Sequence, residues 1–410
     1  MDFEDLKGIV ELGNKNIKCI IFRIKNNNDT EVLSTAVIES AGIHNGSVTN
    51  IIKASKAIRS CIGNAEKKVQ TSLKKINVLT EQPEFLCTKL SKYRKINGSK
   101  IYKEDIEFLL KEGKKQIIIN DDKHSIIHIF NHNYIVDGKK FMEEPINVYA
   151  DFLSHEMTFV TMPKNNIKNI YQTFSECDLE VERFISTTFA LSVHLLSSDE
   201  LKFGSSLLDV GSDKISLGMF RNLALIHSIT FPFGIKYLAK DISKVCSLSV
   251  KETENIVSKI NFSFKNNEEL FDENNFLKKN YFFDSSYRKI SKTLILKIIT
   301  ERLEEILKII KKQIIEMGLN STCSKNLTIT GEGLKLSNLD EYFSEFFKLN
   351  IKKSITNKKR DEIEEIFAAC LGSLKIIADG WETEAIPKKS NEFGEKSGFF
   401  AKIFGKRLSS

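Results

Sequence analysis

The sequence predicts an α/β protein of two repeated lobes with a small α+β insert in the first. Three observations carry this. A carboxylate, an apolar residue and a glycine close a short apolar run at Glu11-Leu12-Gly13, and again about 200 residues later at Asp209-Val210-Gly211. Each occurrence opens the same succession of three strands and a helix, over Gly8–Lys68 and from Ser206 to about Val245. Between them, over about 76–162, the hydrophobic pattern changes character. Self-similarity at long period marks a repeated architecture. Two unrelated hairpins would show the same local pattern, because Asp and Gly punctuate ordinary turns.

The 410 residues suffice for two or more domains with real cores. A content of 41% hydrophobic and 28% charged residues is that of a globular protein. Lys and Arg number 61 against 54 Asp and Glu, a formal net charge of +7. That mild excess reads as solvated surface and speaks against a nucleic-acid partner. The seven cysteines are scattered and odd in number, without Cys-x-x-Cys or Cys/His spacing, which predicts reduced thiols and no zinc site. Asp2, Glu4 and Asp5 do not fit a signal peptide, and no run of about 18 apolar residues predicts a membrane span.

In chain order, Gly8–Ile24 reads as strand, glycine turn, strand, and Val32–Glu39 as a third strand. Gly42–Val48 is a turn, Ile51–Lys68 a helix and Ile76–Leu79 a strand. In the insert, Tyr102–Lys115 has helical spacing, while Ile117–Ile119, Ile126–Phe130, Tyr134–Val136 and Met157–Val160 read as short strands. His124, His128 and His132 recur at four-residue intervals, which would suit a metal only on a helix. Their strand-like surroundings predict surface or edge histidines. Asn166–Cys177 is a helix, Val181–Ser186 a strand and Thr187–Leu196 a helix. After the Asp209 hairpin come a strand at Leu223–Thr230, a turn at Phe231–Gly234 and a helix from Ile235. Ser249 with Glu252 has capping-box spacing ahead of a helix to Ile260, and Phe262–Asp284 shows no period. Leu294–Met317 is a long amphipathic helix with Gly318 as its C-cap. Leu327–Thr330 and Leu349–Lys353 are strands flanking a turn at Gly331-Glu332-Gly333 and a helix at Leu339–Phe347. Ile366–Ala378 is a helix whose Ala368, Ala369 and Gly372 are small enough for close packing, and 381–397 is a polar linker.

Three glycine turns therefore sit at strand ends. Two repeated lobes can bring Gly13 and Gly211 across a cleft, with backbone amides gripping a polyphosphate. Glu11 and Asp209 would hold Mg²⁺ through water, and the third turn would lie against base and sugar. This is the constellation of the actin/Hsp70/sugar-kinase superfamily. Gly-x-x-x-x-Gly-Lys-Ser/Thr is absent, so the chain is not a P-loop protein.

Over essentially its whole length the sequence resembles the FtsA family of bacterial cell-division proteins. Gly8–Ile17 resembles the family's first phosphate motif, Leu207–Ser216 its second and Leu327–Gly333 its adenosine motif. Pro232-Phe233-Gly234, Asp241-Ile242 and Ile299-x-x-Arg302-x-Glu304-Glu305-Ile306 match further family stretches. Tyr134-x-x-Asp137 and Pro145 resemble the motif of the family's distinctive inserted subdomain. The resemblance implies the two-lobed fold, with 1–75 and 163–203 forming the first lobe, 76–162 the insert, and 204–380 the second lobe with 236–318 as its outer part. It implies ATP and Mg²⁺ as cofactors. The nucleotide contacts would come from Glu11, Gly13, Asn14, Lys15, Asp209, Gly211, Ser212, Lys214, Gly234, Glu254, Thr330, Gly331, Glu332 and Gly333. Asn14, Ser212, Asp213, Lys214 and Glu332 depart from the family's usual residues, so hydrolysis is expected to be weak at most. The resemblance further implies a division adaptor at the septum, on the cytoplasmic face of the inner membrane. It would self-associate into filaments, bind the tail of the tubulin-like FtsZ through Arg302 and Glu305, and recruit later divisome membrane proteins. A pilus-assembly actin homologue, or a small-molecule kinase or chaperone ATPase of the same superfamily, are the alternatives.

Gly398–Ser410 reads as an amphipathic helix. At about 100° per residue, Phe399, Phe400, Ile403, Phe404 and Leu408 spread over roughly half its circumference. Lys402 and Lys406 face the other side, toward anionic headgroups, and Arg407 can snorkel from the apolar half. It is too short to span a bilayer and is expected to lie in the interface, each basic residue contributing about 1 kcal/mol. Filament formation would multiply such weak attachments. Replacing Phe400 and Phe404 with Glu is expected to release the protein from anionic liposomes without unfolding it. Equal pelleting of variant and wild type would reject this tail as an anchor.

Overall fold

The computed structural model describes residues 6–25, 29–264, 267–316, 326–354 and 362–379. The chain forms two compact units, one from the chain up to Lys202 with Phe220–Ile229 and the segment after Thr356, the other from Phe203–Met219 and Thr230–Ile355.

The first unit opens with an antiparallel meander of β1 (Leu6–Leu12), β2 (Asn16–Ile24) and β3 (Thr30–Glu39). Ile9, Val10, Leu12, Ile17 and Cys19 to Phe22 are buried, so these central strands are covered on both faces and read as near-continuous apolar runs. The predicted turn at Gly42–Val48 contains a short hairpin, β4 (Ile43–His44) with β5 (Ser47–Val48), turned by left-handed Asn45 and Gly46. It leads to α1 (Ile51–Val69), where the Asn50 side chain accepts the Lys53 N–H as an N-cap. β6 (Lys75–Thr80) then pairs parallel to β1.

The insert follows as β7 (Leu86–Lys100), α2 (Lys103–Asn120), β8 (His124–Val136), β9 (Lys139–Phe141) and β10 (Tyr149–Pro163). Its sheet is antiparallel in the order β7-β10-β8-β9. α2 contributes Ile106 and Leu109 to a core with Ile96, Tyr134, Val136 and Leu153. Three expectations are corrected here. Ile117–Ile119 is the last turn of α2, with Ile117 packed on Met157 and Phe159 and Ile118 and Ile119 exposed. A β-branched run imitates a strand when only one of its residues faces the core. The segments 126–130 and 134–136 are one continuous strand. β7 was not predicted, because an edge strand carrying Lys89, Lys92, Arg94 and Lys95 lacks the apolar density of an inner one.

The chain re-enters the first sheet through α3 (Lys164–Ser175) and β11 (Glu180–Ser186), parallel to β6. α4 (Thr187–Leu195) and α5 (Ser198–Phe203) follow.

The second five-stranded sheet repeats the plan. β12 (Ser205–Val210), β13 (Ile215–Arg221) and β14 (Ala224–Phe231) precede α6 (Lys236–Cys246), α7 (Val250–Lys259) and α8 (Lys292–Glu316). β15 (Asn326–Thr330), α9 (Leu339–Phe347) and β16 (Asn350–Lys353) complete it. The first sheet runs β11-β6-β1-β2-β3 and the second β16-β15-β12-β13-β14, so both read fifth, fourth, first, second, third. The duplication inferred from two turns is thus a duplication of strand order. At α7 the predicted capping box is present, and Glu252 also accepts from the backbone of Asp284 and Ser285, which ties the far end of the aperiodic stretch to the start of α7. Gly318, expected as the cap of α8, lies outside the described residues, as do the 381–397 linker and the 398–410 tail.

The predicted helix 366–378 breaks at Phe367 into α10 (Glu362–Ile366) and α11 (Ala368–Ala378). Placed in the second lobe by sequence, α11 belongs to the first unit and packs on α4. Gly372 lies directly against the Ala190 carbonyl, leaving no room for a Cβ.

The insert's histidines are not simple surface groups. His128 is buried, and its Nε2 accepts the Ser186 N–H at 2.9 Å, joining the insert to the end of β11. Burial, and then the Arg183 charge, lowers it from 6.5 to about 3. His155, also buried, stacks on Tyr134 at 4.4 Å and is lowered by burial to about 4. Both are neutral in the folded state, whereas the unfolded chain takes up protons below about pH 6.5. Their stabilisation is therefore complete above pH 6.5 and is lost as pH falls toward 4, at up to about 1.4 kcal/mol per pH unit for each group. Urea titrations at several pH values are expected to show this loss, with a shallower slope in His155→Leu. Stability independent of pH across that window would contradict it.

Candidate functional site

The second unit carries the most completely built constellation. β12 delivers Asp209 at its end, opposite Thr330 in the parallel register with β15. The turn after it is closed by the Gly211 N–H donating to the Lys214 carbonyl at 3.0 Å. The chain leaving β14 returns to this turn, where the Ile235 and Lys236 N–H groups donate to the carbonyls of Gly211 and Ser212. That approach requires glycine at 234, because a Cβ there would sit 2.5 Å from the Gly211 oxygen and as close to Ser212. The third turn meets the same backbone from β15. Gly331 has φ +99°, a conformation that side chains disfavour, and its α-carbon faces the Asp209 carboxylate and the Val210 carbonyl. Gly333, in the short 3₁₀ turn Glu332–Lys335, packs on Val210. Asp209, Gly211, Ser212, Lys214, Gly234, Thr330, Gly331, Glu332 and Gly333 thus form one neighbourhood. Glu254 stands beside it on α7, within 3.9 Å of the Lys236 ammonium.

In the first unit, β1 delivers Glu11 to the corresponding place. A Cβ on Gly13 would lie 2.5 Å from the Asn16 carbonyl oxygen, so the turn closes on a glycine as its counterpart does. The Asn14 amide donates to the Asn45 side chain, and the Lys15 carbonyl accepts the Ser40 N–H, which ties the turn to β3 and the β4–β5 hairpin. Glu11, expected to hold Mg²⁺ through water, accepts from Lys18, directly opposite on β2, at both carboxylate oxygens at 3.1 Å. The thiol of Cys370 on α11 donates to the same carboxylate at 3.7 Å. Neither Lys18 nor Cys370 was picked out by sequence. The hairpin register was the available signal for Lys18, whereas Cys370 needed the placement of α11.

Elsewhere in the second unit, Arg302 of α8 ion-pairs with Asp241 of α6 and with Glu305 one turn along at 2.6 Å. The hydrogen bond to Asp241 raises the Arg302 pKa against the opposing effect of burial. Asp241 was matched as a motif residue only, and the structure makes it the third member of this cluster. Phe399, Phe400, Lys402, Ile403, Phe404, Lys406, Arg407 and Leu408 lie outside the described residues.

Two sheets of identical strand order, each ending its first strand in a carboxylate–glycine turn, define the fold of an actin-like ATPase with an inserted domain. The PilM component of a type IV pilus PilM–PilN complex shares it with a TM-score of 0.63 at 13% identity, over 91% of this chain and 98% of that one. A diol dehydratase-reactivating factor in nucleotide-free form has a TM-score of 0.50 at 6% identity, over 90% of this chain and all of that one. Residues 85–161 match the SHS2 domain inserted in FtsA. Over nearly its whole length the chain is similar to proteins called Cell division protein FtsA. That of Buchnera aphidicola subsp. Schizaphis graminum is 23% identical over 409 residues, 96% of this chain and 95% of the relative. That of Borreliella burgdorferi is 22% identical over 407 residues, 97% and 96% respectively. The resemblance to FtsA read from the motifs is thus matched by similarity to these proteins over nearly the whole chain.

Gly234→Ala is expected to lower stability by about 1–3 kcal/mol through overpacking against the 211–212 carbonyls. Denaturant unfolding measures this, and a variant as stable as wild type would show that the turn yields easily.

Proposed function

We propose that this chain is a cell-division adaptor that binds ATP at its glycine turns. The observation that carries this reading is the backbone neighbourhood of Asp209, Gly211, Gly234, Gly331 and Gly333, where glycines let three turns meet at the ends of two parallel strands. Turns at such strand ends are favoured positions for phosphate, and exposed backbone N–H groups are their usual ligands. Similarity to FtsA over most of the chain supports the division role. The likeness to PilM rests on fold alone and gives a pilus role no separate support. A sugar kinase would need a carboxylate base beside a sugar site, and the sequence offers no candidate.

In this reading the protein polymerises on the cytoplasmic face of the membrane through its 398–410 segment, holds the FtsZ tail and recruits later division proteins. Asp241, Arg302 and Glu305 form the peptide site, an ionic cluster suited to the charged groups of an extended tail. Hydrolysis is slow, because Ser212, Asp213 and Glu332 crowd turns that are usually glycine-rich.

Two titrations test this on the full chain. Calorimetry with ATP is expected to show one site per chain, lost in Gly211→Val, whose side chain would collide with the Lys214 carbonyl 2.7 Å from the new Cβ. Unchanged binding by that variant would remove the turn from the site. Anisotropy with a labelled FtsZ C-terminal peptide is expected to weaken about tenfold or more in Arg302→Glu, with melting temperature followed alongside. Normal peptide binding by that variant would move the site elsewhere.

A further inference from the structure

β7 ends the sheet of the insert, and β10 alone pairs with it. Among the described residues, no hydrogen bond from outside that ladder reaches the backbone of Lys89 to Lys95. The register with β10 is unbroken from Leu86 to Lys95, and the strand holds no proline. Proteins guard long edges with bulges, prolines, shortness or lysines. Of these, β7 has only the lysines in this stretch, so its outer backbone edge is able to pair.

The charges divide by face, because side chains alternate along a strand. Lys92, Arg94 and Ile96 lie on the α2 side. Ile96 joins the core beneath α2, Lys92 donates to Gln116, and Arg94 pairs with Asp105 at 3.3 Å. Lys89, Tyr93 and Lys95 take the other side, where Tyr93 is 74% exposed. Lys89 and Lys95 are also exposed, and neither joins an ion pair among the described residues. Glu156, on the same side of β10, is held by Asn133. The edge therefore presents two uncommitted ammonium groups six residues apart, about 20 Å, with an aromatic ring between them.

A second copy of this chain is a poor occupant. All five charged residues of β7 are basic, so another β7 brings no carboxylate in any register. β9 and β16 carry lysines, and β14 has no carboxylate. In β3, Glu31 is bound by Arg23 and Lys25, and the Thr35 carbonyl accepts from Lys68. In β11, Glu180 pairs with Lys75, and Glu182 accepts from Asn77.

We propose that the β7 edge over Lys89–Lys95 receives an extended acidic segment of another protein as an added strand. Backbone hydrogen bonds supply the affinity, and Lys89 and Lys95 select carboxylates at alternate positions. The same lysines repel a second β7, so one feature serves both attraction and exclusion. The inference does not depend on the nucleotide reading.

The test is fluorescence anisotropy of the full chain with three labelled nine-residue peptides. The first alternates glutamate with threonine. The second has lysine for glutamate. The third keeps the glutamates and replaces each threonine with proline, which preserves the charge and prevents a ladder. Wild type is expected to bind the first about tenfold or more tightly than either of the others. The double variant Lys89→Glu, Lys95→Glu is expected to reverse the preference between the glutamate and lysine peptides. Amide exchange is expected to slow in peptides spanning 89–95 when the first peptide is bound. Equal affinity for the threonine and proline peptides would overturn strand addition and leave charge attraction only. No binding of the first peptide up to about 1 mM would overturn the site altogether. The wild-type comparison decides the matter even if the double variant fails to fold.

Discussion

The second unit depends on one constraint, the backbone from Asp209 to Ser212 being touched from two directions with no side chain between. Gly234 brings the chain leaving β14 against the carbonyls of Gly211 and Ser212, and Gly331 brings the end of β15 against Asp209 and Val210. Backbone hydrogen bonds from Ile235 and Lys236 lock the first approach. The position of α6, which starts at Lys236, follows from that contact, and so does the cluster in which α6 presents Asp241 to Arg302 of α8. The glycine turn is therefore the structural joint between the sheet and the outer helices, as well as the candidate ligand site.

The first unit has the same five-strand order with a different electrostatic solution at the matching place. Its turn is also closed around a glycine, but its carboxylate is neutralised within the hairpin by Lys18 and covered by α11. A repeated fold fixes where the turns fall, and individual residues then decide what each turn attracts. This is the ordinary relation between a widely used fold and the sites built on it.

Much of this was legible in the sequence because the informative residues are punctuation. Glycines 13, 211, 234, 331 and 333 mark places where backbone approaches backbone, and the buried strands beside them are dense in Ile, Val and Leu. Ser249 with Glu252 announced a capping box, and Gly372 announced a close helix contact, both of which the structure contains. What was not legible depended on partners distant in sequence. β7 carries its charge on an edge, so its pattern is diluted, and Ile117–Ile119 ends a helix despite its β-branched composition. His128 looked like an edge residue because its partner, the Ser186 N–H, is 58 positions away. The engagement of Glu11 with Cys370 spans 359 positions, beyond anything local pattern can express.

The central claim is that the glycine turns of the second unit are where nucleotide phosphate and sugar bind. Amide hydrogen exchange of the full chain, with and without saturating ATP, tests it most directly. The account predicts new protection concentrated in peptides spanning residues 209–214 and 331–335. Protection confined to other peptides, or none at saturating ATP, would contradict it.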